Sequence, residues 1–246
     1  MLIRLIPIAL LLLFESSAFA GQWTRLSPEV LSFEGIIEEK VELQKLVENW
    51  DDRINKLIVN SPGGNTVTGI LMGNFLADKK FDIDVQGQCM SACANYLFIT
   101  AKQKIISKGV VGFHGNATAS LYKLQKRMSF HSKEDFTEVD FATLESFFEG
   151  KSKKLLLDFY TEYVITAEIE KNLFNRLGVS QQLFDRSQLH DKGMNDGKLY
   201  SFLLPRSETF IKYGIENVIG NQSLEILQTW PVFIENASFG YDVIID

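Results

Sequence analysis

The sequence is poor in histidine and cysteine. It has three histidines and two cysteines in 246 residues. His131 and His190 stand at no metal-ligand spacing from carboxylates or cysteines, so no metal is expected. It has no basic excess: 25 Lys and Arg against 31 Asp and Glu leave a net charge of −6. That argues against a nucleic-acid partner, which would call for a basic face. There is no long linker, low-complexity tract or fixed-period repeat, so one domain is the economical organisation. Beyond the first residues no stretch is apolar enough to cross a bilayer, and membrane attachment is expected only if the N-terminal segment is retained.

What is present starts at that N-terminus. Met1 to Arg4 is a short basic start, Leu5 to Phe14 is apolar, and Ala18-Phe19-Ala20 gives the small-x-small pattern of a cleavage site. Residues 1–20 are expected to be a signal peptide cut near Ala20, with residues 21–246 exported to a periplasm or secreted. An uncleaved anchor is the alternative, disfavoured by the short run and by Glu15 behind it. Sequons at Asn116, Asn221 and Asn236 matter only in a host that glycosylates.

Along the chain, Phe33 to Ile37 reads as a strand. Glu38 to Trp50 has helical spacing, with Val41, Leu43, Leu46, Val47 and Trp50 recurring on one side. Leu57 to Val59 is a short buried strand running into the turn Ser61-Pro62-Gly63-Gly64. Thr66 to Ala77 is helical, with Ile70, Leu71, Phe75 and Leu76 as its apolar face. Phe81 to Val85 alternates like a strand that Gly87 ends. Ser91 to Thr100 is a small apolar helix, and two short strands flank Gly109. Strands alternating with helices imply right-handed crossovers and a largely parallel sheet. Residues 116–180 are richer in charge and aromatics, with helical stretches at 140–150 and 151–176, and read as a helical insertion.

Three segments carry candidate chemistry: NSPGG at 60–64, GQCMSAC at 87–93 and GFHG at 112–115. Singly, each has a plain structural reading. The glycine pair is a tight turn, Ser91 a helix N-cap and His114 a structural histidine. Each also has a chemical reading. Glycines before a helix let backbone N–H groups face an anion. A serine on a sharp strand-to-helix turn projects its hydroxyl, with the next N–H, that of Ala92, placed for an oxyanion. A histidine within reach of that hydroxyl can act as its base. In an oxidising compartment Cys89 and Cys93 are a disulfide candidate; two buried free thiols or a redox pair are the alternatives.

Taken together, these segments resemble the Clp-protease and crotonase superfamily. Its pattern is an SPGG turn after a strand, a nucleophilic serine in a GQ-x-x-S context at a helix start, and a histidine at the end of a strand. Ser91 follows Gly63 by 28 residues and His114 follows Ser91 by 23. The stretch from Pro205 to Ile219 is similar to the family's terminal helix-Gly-strand signature. The resemblance implies an α/β fold of repeated β-β-α units with a helical insertion. It implies Ser91 as nucleophile, His114 as general base, and the N–H groups of Gly63 and Ala92 as the oxyanion hole. The family's acid slot falls near Tyr200, so Asp196 is the candidate orienting acid and Asp191 the second. A Ser–Lys arrangement through Lys102 or Lys198 stays open. An exported branch has a similar Cys-x-Ser-Ala-Cys pattern, which implies that Cys89 and Cys93 clamp the nucleophile turn. The family's insertion after the histidine makes oligomer contacts, which implies a homo-oligomer here.

The expected function is an exported serine hydrolase, a peptidase working on short or unfolded peptide or protein substrates without a cofactor. The alternative is the same fold without activity, binding peptides or partner proteins. Acyl-CoA chemistry of the crotonase kind suits an exported chain poorly, because coenzyme A is intracellular.

Overall fold

The computed structural model describes residues 21–127, 153–189, 201–223 and 242–245. It opens with an antiparallel pair, β1 (Gln22–Ser27) and β2 (Val30–Glu34). From β2 onward the main sheet is parallel. β2 pairs with β3 (Lys56–Ser61), β3 with β4 (Asp82–Met90), and β4 with β5 (Gln103–Ile106). Further along, β4 also pairs with β6 (Val110–Gly112), and β5 pairs with the late strand β8 (Val218–Gly220). Among the described residues this makes a seven-stranded sheet; β7 (Ser201–Leu204) and β9 (Asp242–Ile245) pair separately. The expected α/β fold is the one observed.

The crossovers follow the sequence with instructive differences. Helix α1 is Val41–Asn49 and buries Leu46, but Val41 and Val47 stay exposed. In their place Glu42 is fully buried, accepting from Trp23 Nε1 at 2.8 Å and from Lys45 Nζ at 3.0 Å. That tryptophan arrives on β1, a strand that the sequence pattern does not announce. Helix α2 (Thr66–Leu76) is capped by Asn65, whose Oδ1 accepts from the Thr68 N–H at 2.9 Å. Such a side chain satisfies one of the orphan donors of the first turn. Its Gly69 and Gly73 admit Tyr96: a Cβ on Gly69 would sit 2.7 Å from the Tyr96 ring. The segment after β4 is a π-helical turn, Cys93–Leu97, then a 3-10 turn, Phe98–Thr100. Helices α3 (Ala117–Arg127), α4 (Lys153–Leu177), α5 (Gln182–Leu189) and α6 (Ser207–Lys212) complete the described residues. Leu57, Val59, Ile83, Val85, Ile70 and Phe98 sit in one continuous core with Phe174 and Phe184 of α4 and α5.

Gly87 does not end β4. The strand runs through it with φ +133°. On β3 the register steps from Val59↔Val85 to Ser61↔Cys89, so β4 carries two extra residues there. The Asn60 side chain fills the irregularity: its Oδ1 accepts from the Gln88 N–H at 3.1 Å and lies 2.3 Å from where a Gly87 Cβ would be. Only a residue without a side chain fits such a bulge. The bulge carries the end of β4 level with Ser61 and the glycine turn.

Candidate active site

The site forms where β3, β4 and β6 end together. Ser91 directly follows β4 and has φ +54°, a conformation uncommon for any residue but glycine and costing on the order of 1 kcal/mol or more. Its N–H donates to the Gly112 carbonyl at 3.0 Å, and its carbonyl accepts from the Asn95 N–H at 2.8 Å. The backbone therefore turns from strand to helix at this one residue, and the hydroxyl projects from the corner. Cys89, in β4, and Cys93, which opens the π turn, are joined by a disulfide across Ser91, as the resemblance implied.

His114 arrives from the neighbouring strand. Phe113, just before it, exchanges two backbone hydrogen bonds with Leu203 of β7, at 2.9 and 2.8 Å. Gln222 bonds Val111 on both sides, Oε1 accepting from its N–H at 2.7 Å and Nε2 donating to its carbonyl at 3.1 Å. The imidazole meets the Phe202 ring edge to face, centroids 5.2 Å apart. Its Nε2 lies 2.5 Å from Ser91 Oγ. The structure thus brings together the hydroxyl and the imidazole that the sequence singled out.

The glycine turn packs against the serine. A Cβ on Gly63 (φ +92°) would come 2.5 Å from the Met90 carbonyl oxygen, 2.6 Å from Ser91 Cβ and 2.8 Å from Ala92 N. Ala92 opens the helix, so its N–H has no acceptor within that helix. The Gly63 N–H, expected to point at an oxyanion, instead donates to Ser61 Oγ at 3.1 Å in a buried position. The next N–H is that of Gly64, which is exposed. The bridge between Gly64 and Ile37 uses the Gly63 carbonyl and the Asn65 N–H, not the Gly64 N–H.

Asp196, Asp191 and Lys198 lie outside the described residues, as do His131 and His190. Lys102 is exposed just before β5, whose first residue pairs with Asp82 at the far end of β4. At about 3.3 Å per strand residue it stands roughly 25 Å from Ser91, so no Ser91–Lys102 pair forms. Asn95 is a participant that the motifs alone did not single out. Its Nδ2 donates to the His114 carbonyl at 3.3 Å, and its buried Oδ1 has no partner among the described residues. The signal was available, since Asn95 lies four residues after Ser91 and so one helical turn along. A cleft of about 380 Å³ lies elsewhere, lined by Ile106, Pro205, Phe210, Gly220 and Gln222 and by neither Ser91 nor His114. Among the described residues no group of His, Cys, Asp and Glu is arranged to hold a metal ion.

No family model and no curated protein sequence matches the chain. Solved structures similar to it include an enoyl-CoA hydratase of Mycobacterium marinum, 12% identical over 64% of this chain and 96% of its own, with TM-score 0.31. A protein of Acinetobacter baumannii assigned to the enoyl-CoA hydratase/isomerase class is 10% identical over 64% and 90%, TM-score 0.29. One of Mycobacterium abscessus, assigned to the same class, is 10% identical over 72% and 88%, TM-score 0.28. Likeness of this degree assigns no activity or residue role to this chain.

Proposed function

We propose that the chain is an exported serine hydrolase resembling the Clp-protease branch of the crotonase superfamily, cleaving peptide or protein substrates by acyl transfer. One observation carries the reading: Ser91 Oγ lies 2.5 Å from His114 Nε2 on a turn held at positive φ. A helix cap or a structural histidine requires neither the mutual contact nor the strained corner. In the proposed reaction His114 Nε2 takes the Ser91 proton as Oγ attacks a carbonyl carbon, then delivers it to the departing amine. Water, deprotonated by the same imidazole, clears the acyl-enzyme. The Ala92 N–H supplies one donor to the tetrahedral oxyanion. With the Gly63 N–H engaged, the second donor falls to Gly64. Asp196 keeps its proposed role as the acid that orients His114, and no cofactor takes part. The Cys89–Cys93 disulfide supports an oxidising, extracytoplasmic location.

The engaged Gly63 N–H favours one competing reading, a binding module that keeps the fold and has lost turnover. Loss of a single oxyanion donor typically costs about 2.7–4 kcal/mol of barrier, enough to silence a modest enzyme. A fluorophosphonate probe on the mature protein separates the two. The hydrolase labels as wild type and loses labelling in both Ser91→Ala and His114→Ala. A folded wild type that remains unlabelled would leave the binding module standing.

A further inference from the structure

The two halves of the Ser91–His114 pair meet again behind the site, at one buried carboxylate. Glu170 of α4 is fully buried. Its Oε1 accepts from Tyr96 Oη at 2.5 Å and from the Ala117 N–H at 3.2 Å, and its Oε2 accepts from the Thr118 N–H at 2.7 Å. Tyr96 belongs to the π turn that begins two residues after Ser91. Ala117 and Thr118 open α3, three and four residues after His114. We propose that Glu170 is a positioning residue: its carboxylate joins the turn behind the serine to the helix behind the histidine and so sets the distance between Oγ and Nε2. The proposal rests on reading Ser91 and His114 as one working pair.

Glu170 is not the sole support of either segment. The first turn of α3 already has a cap, because Asn116 Oδ1 accepts from the Ala119 N–H at 2.9 Å. The Tyr96 ring is held without its hydroxyl, stacked on Phe174 with centroids 6.2 Å apart and seated against Gly69 and Gly73. What the carboxylate adds is the connection. On the near side, the Ser91 N–H bond to the Gly112 carbonyl and the Asn95 bond to the His114 carbonyl link the same two segments. Glu170 closes the loop on the far side, so the pair sits between two sets of ties and cannot swing apart about one of them. Burial pushes the Glu170 carboxyl above the ordinary range, and the three donors oppose that shift. The group was therefore taken into the core against its own solvation, which a solvated helix-face glutamate would avoid.

The test uses the mature protein with Glu170→Gln, Glu170→Ala and Tyr96→Phe, each checked for a cooperative melt. Two readouts are followed. The first is the fluorophosphonate labelling rate at Ser91, expected to fall about tenfold to hundredfold in the Glu170 variants, the scale of a small misplacement of reacting groups, and severalfold in Tyr96→Phe. The second is the His114 titration by NMR, with and without Ser91→Ala. In the Glu170 wild type the serine substitution shifts the His114 titration; in the Glu170→Gln background that shift shrinks. A folded Glu170→Gln protein whose His114 responds to Ser91→Ala as the wild type does overturns the proposal. The titration needs no turnover, so an unlabelled wild type would refute the hydrolase while the titration still judged Glu170. Should both Glu170 variants fail to fold, Tyr96→Phe is judged by the same two readouts, and a wild-type response of His114 in that background overturns the proposal equally.

Discussion

The two ends of β4 are built to opposite rules. From Asp82 to Val85 the strand pairs evenly with β3 on one side and β5 on the other. The polar groups at this end are answered locally. Asp84 meets Lys56 Nζ at 2.9 Å and accepts from Ser107 Oγ at 2.6 Å, and Lys104 Nζ donates to the carbonyls of Ala101 and Glu216 at 2.7 and 3.2 Å. From Gln88 to Met90, past the bulge at Gly87, the strand changes partner to β6 and hands over to a serine at positive φ. Here Gln88 Oε1 and Asn95 Oδ1 are buried without a partner among the described residues. Regular pairing makes the core, and departure from it makes the place where groups are left over for a ligand. Strain and unsatisfied polar atoms persist only where the surroundings over-determine them.

On the proposed reading of Ser91 and His114, substitutions at the two ends should therefore separate, with loss of probe labelling at one and loss of stability alone at the other. The largest effect is expected for Gly63→Ala. The added methyl would overlap the Met90 carbonyl and Ser91 Cβ at a backbone angle that alanine resists. Probe labelling should drop at least about a hundredfold and urea denaturation should show a loss of about 3 kcal/mol. Labelling at the wild-type rate would mean that the turn does not abut the serine. Next comes Lys104, whose amine is held down to about 8 by burial. Its folded value lies below the unfolded one, so the unfolded chain binds more protons between the two and stability rises with pH across that interval. Relative to Lys104→Met, the wild type should gain up to about 3 kcal/mol between about pH 8 and about pH 10.5, with labelling at pH 7 little changed. A flat difference across that range would refute the buried, depressed amine.

Removing the disulfide as Cys89→Ala with Cys93→Ala should cost about 2 kcal/mol, the entropy of so short a loop. It should also slow labelling more than its stability loss would suggest, because the bond spans Ser91. The smallest effect is expected for Asp84→Asn. Hydrogen bonds to Ser107, Lys56 and Gln86 hold the Asp84 carboxyl below its usual range against the opposing pull of burial. Its contribution is complete above about pH 4 and fades as the pH falls through the folded value. The wild type should exceed the variant by about 1 kcal/mol at pH 7, and denaturation at pH 3 should narrow that gap while labelling at pH 7 holds.

The reactive end is more legible in the sequence than the scaffold that holds it. Ser91, His114 and the glycine turn are readable only in combination: each segment alone has a plain structural reading, and their order and spacing carry the resemblance that singles them out. Gly87 reads as a stop yet bulges the strand, since the choice between the two depends on Asn60, 27 residues earlier. Glu42 and Glu170 are invisible for a related reason. A glutamate on a helix reads as solvated, and donors arriving from elsewhere in the fold, Trp23 beside the same-helix Lys45 for one and Tyr96 with the start of α3 for the other, make burial tolerable. The Gly63 N–H differs, because the Ser61 hydroxyl that engages it is only two residues away, a local serine turn that the sequence allows for without requiring.

The supports of His114 come late in the chain: Leu203 steadies Phe113, Phe202 faces the imidazole, and Gln222 brackets Val111. A polypeptide leaving a ribosome or a translocon in order would thus present its serine more than a hundred residues before the last of these clasps emerged. Such contacts between distant segments form slowly, after local ones. The Ser91–His114 arrangement would therefore be completed only after the segment from Phe202 to Gln222 had joined it.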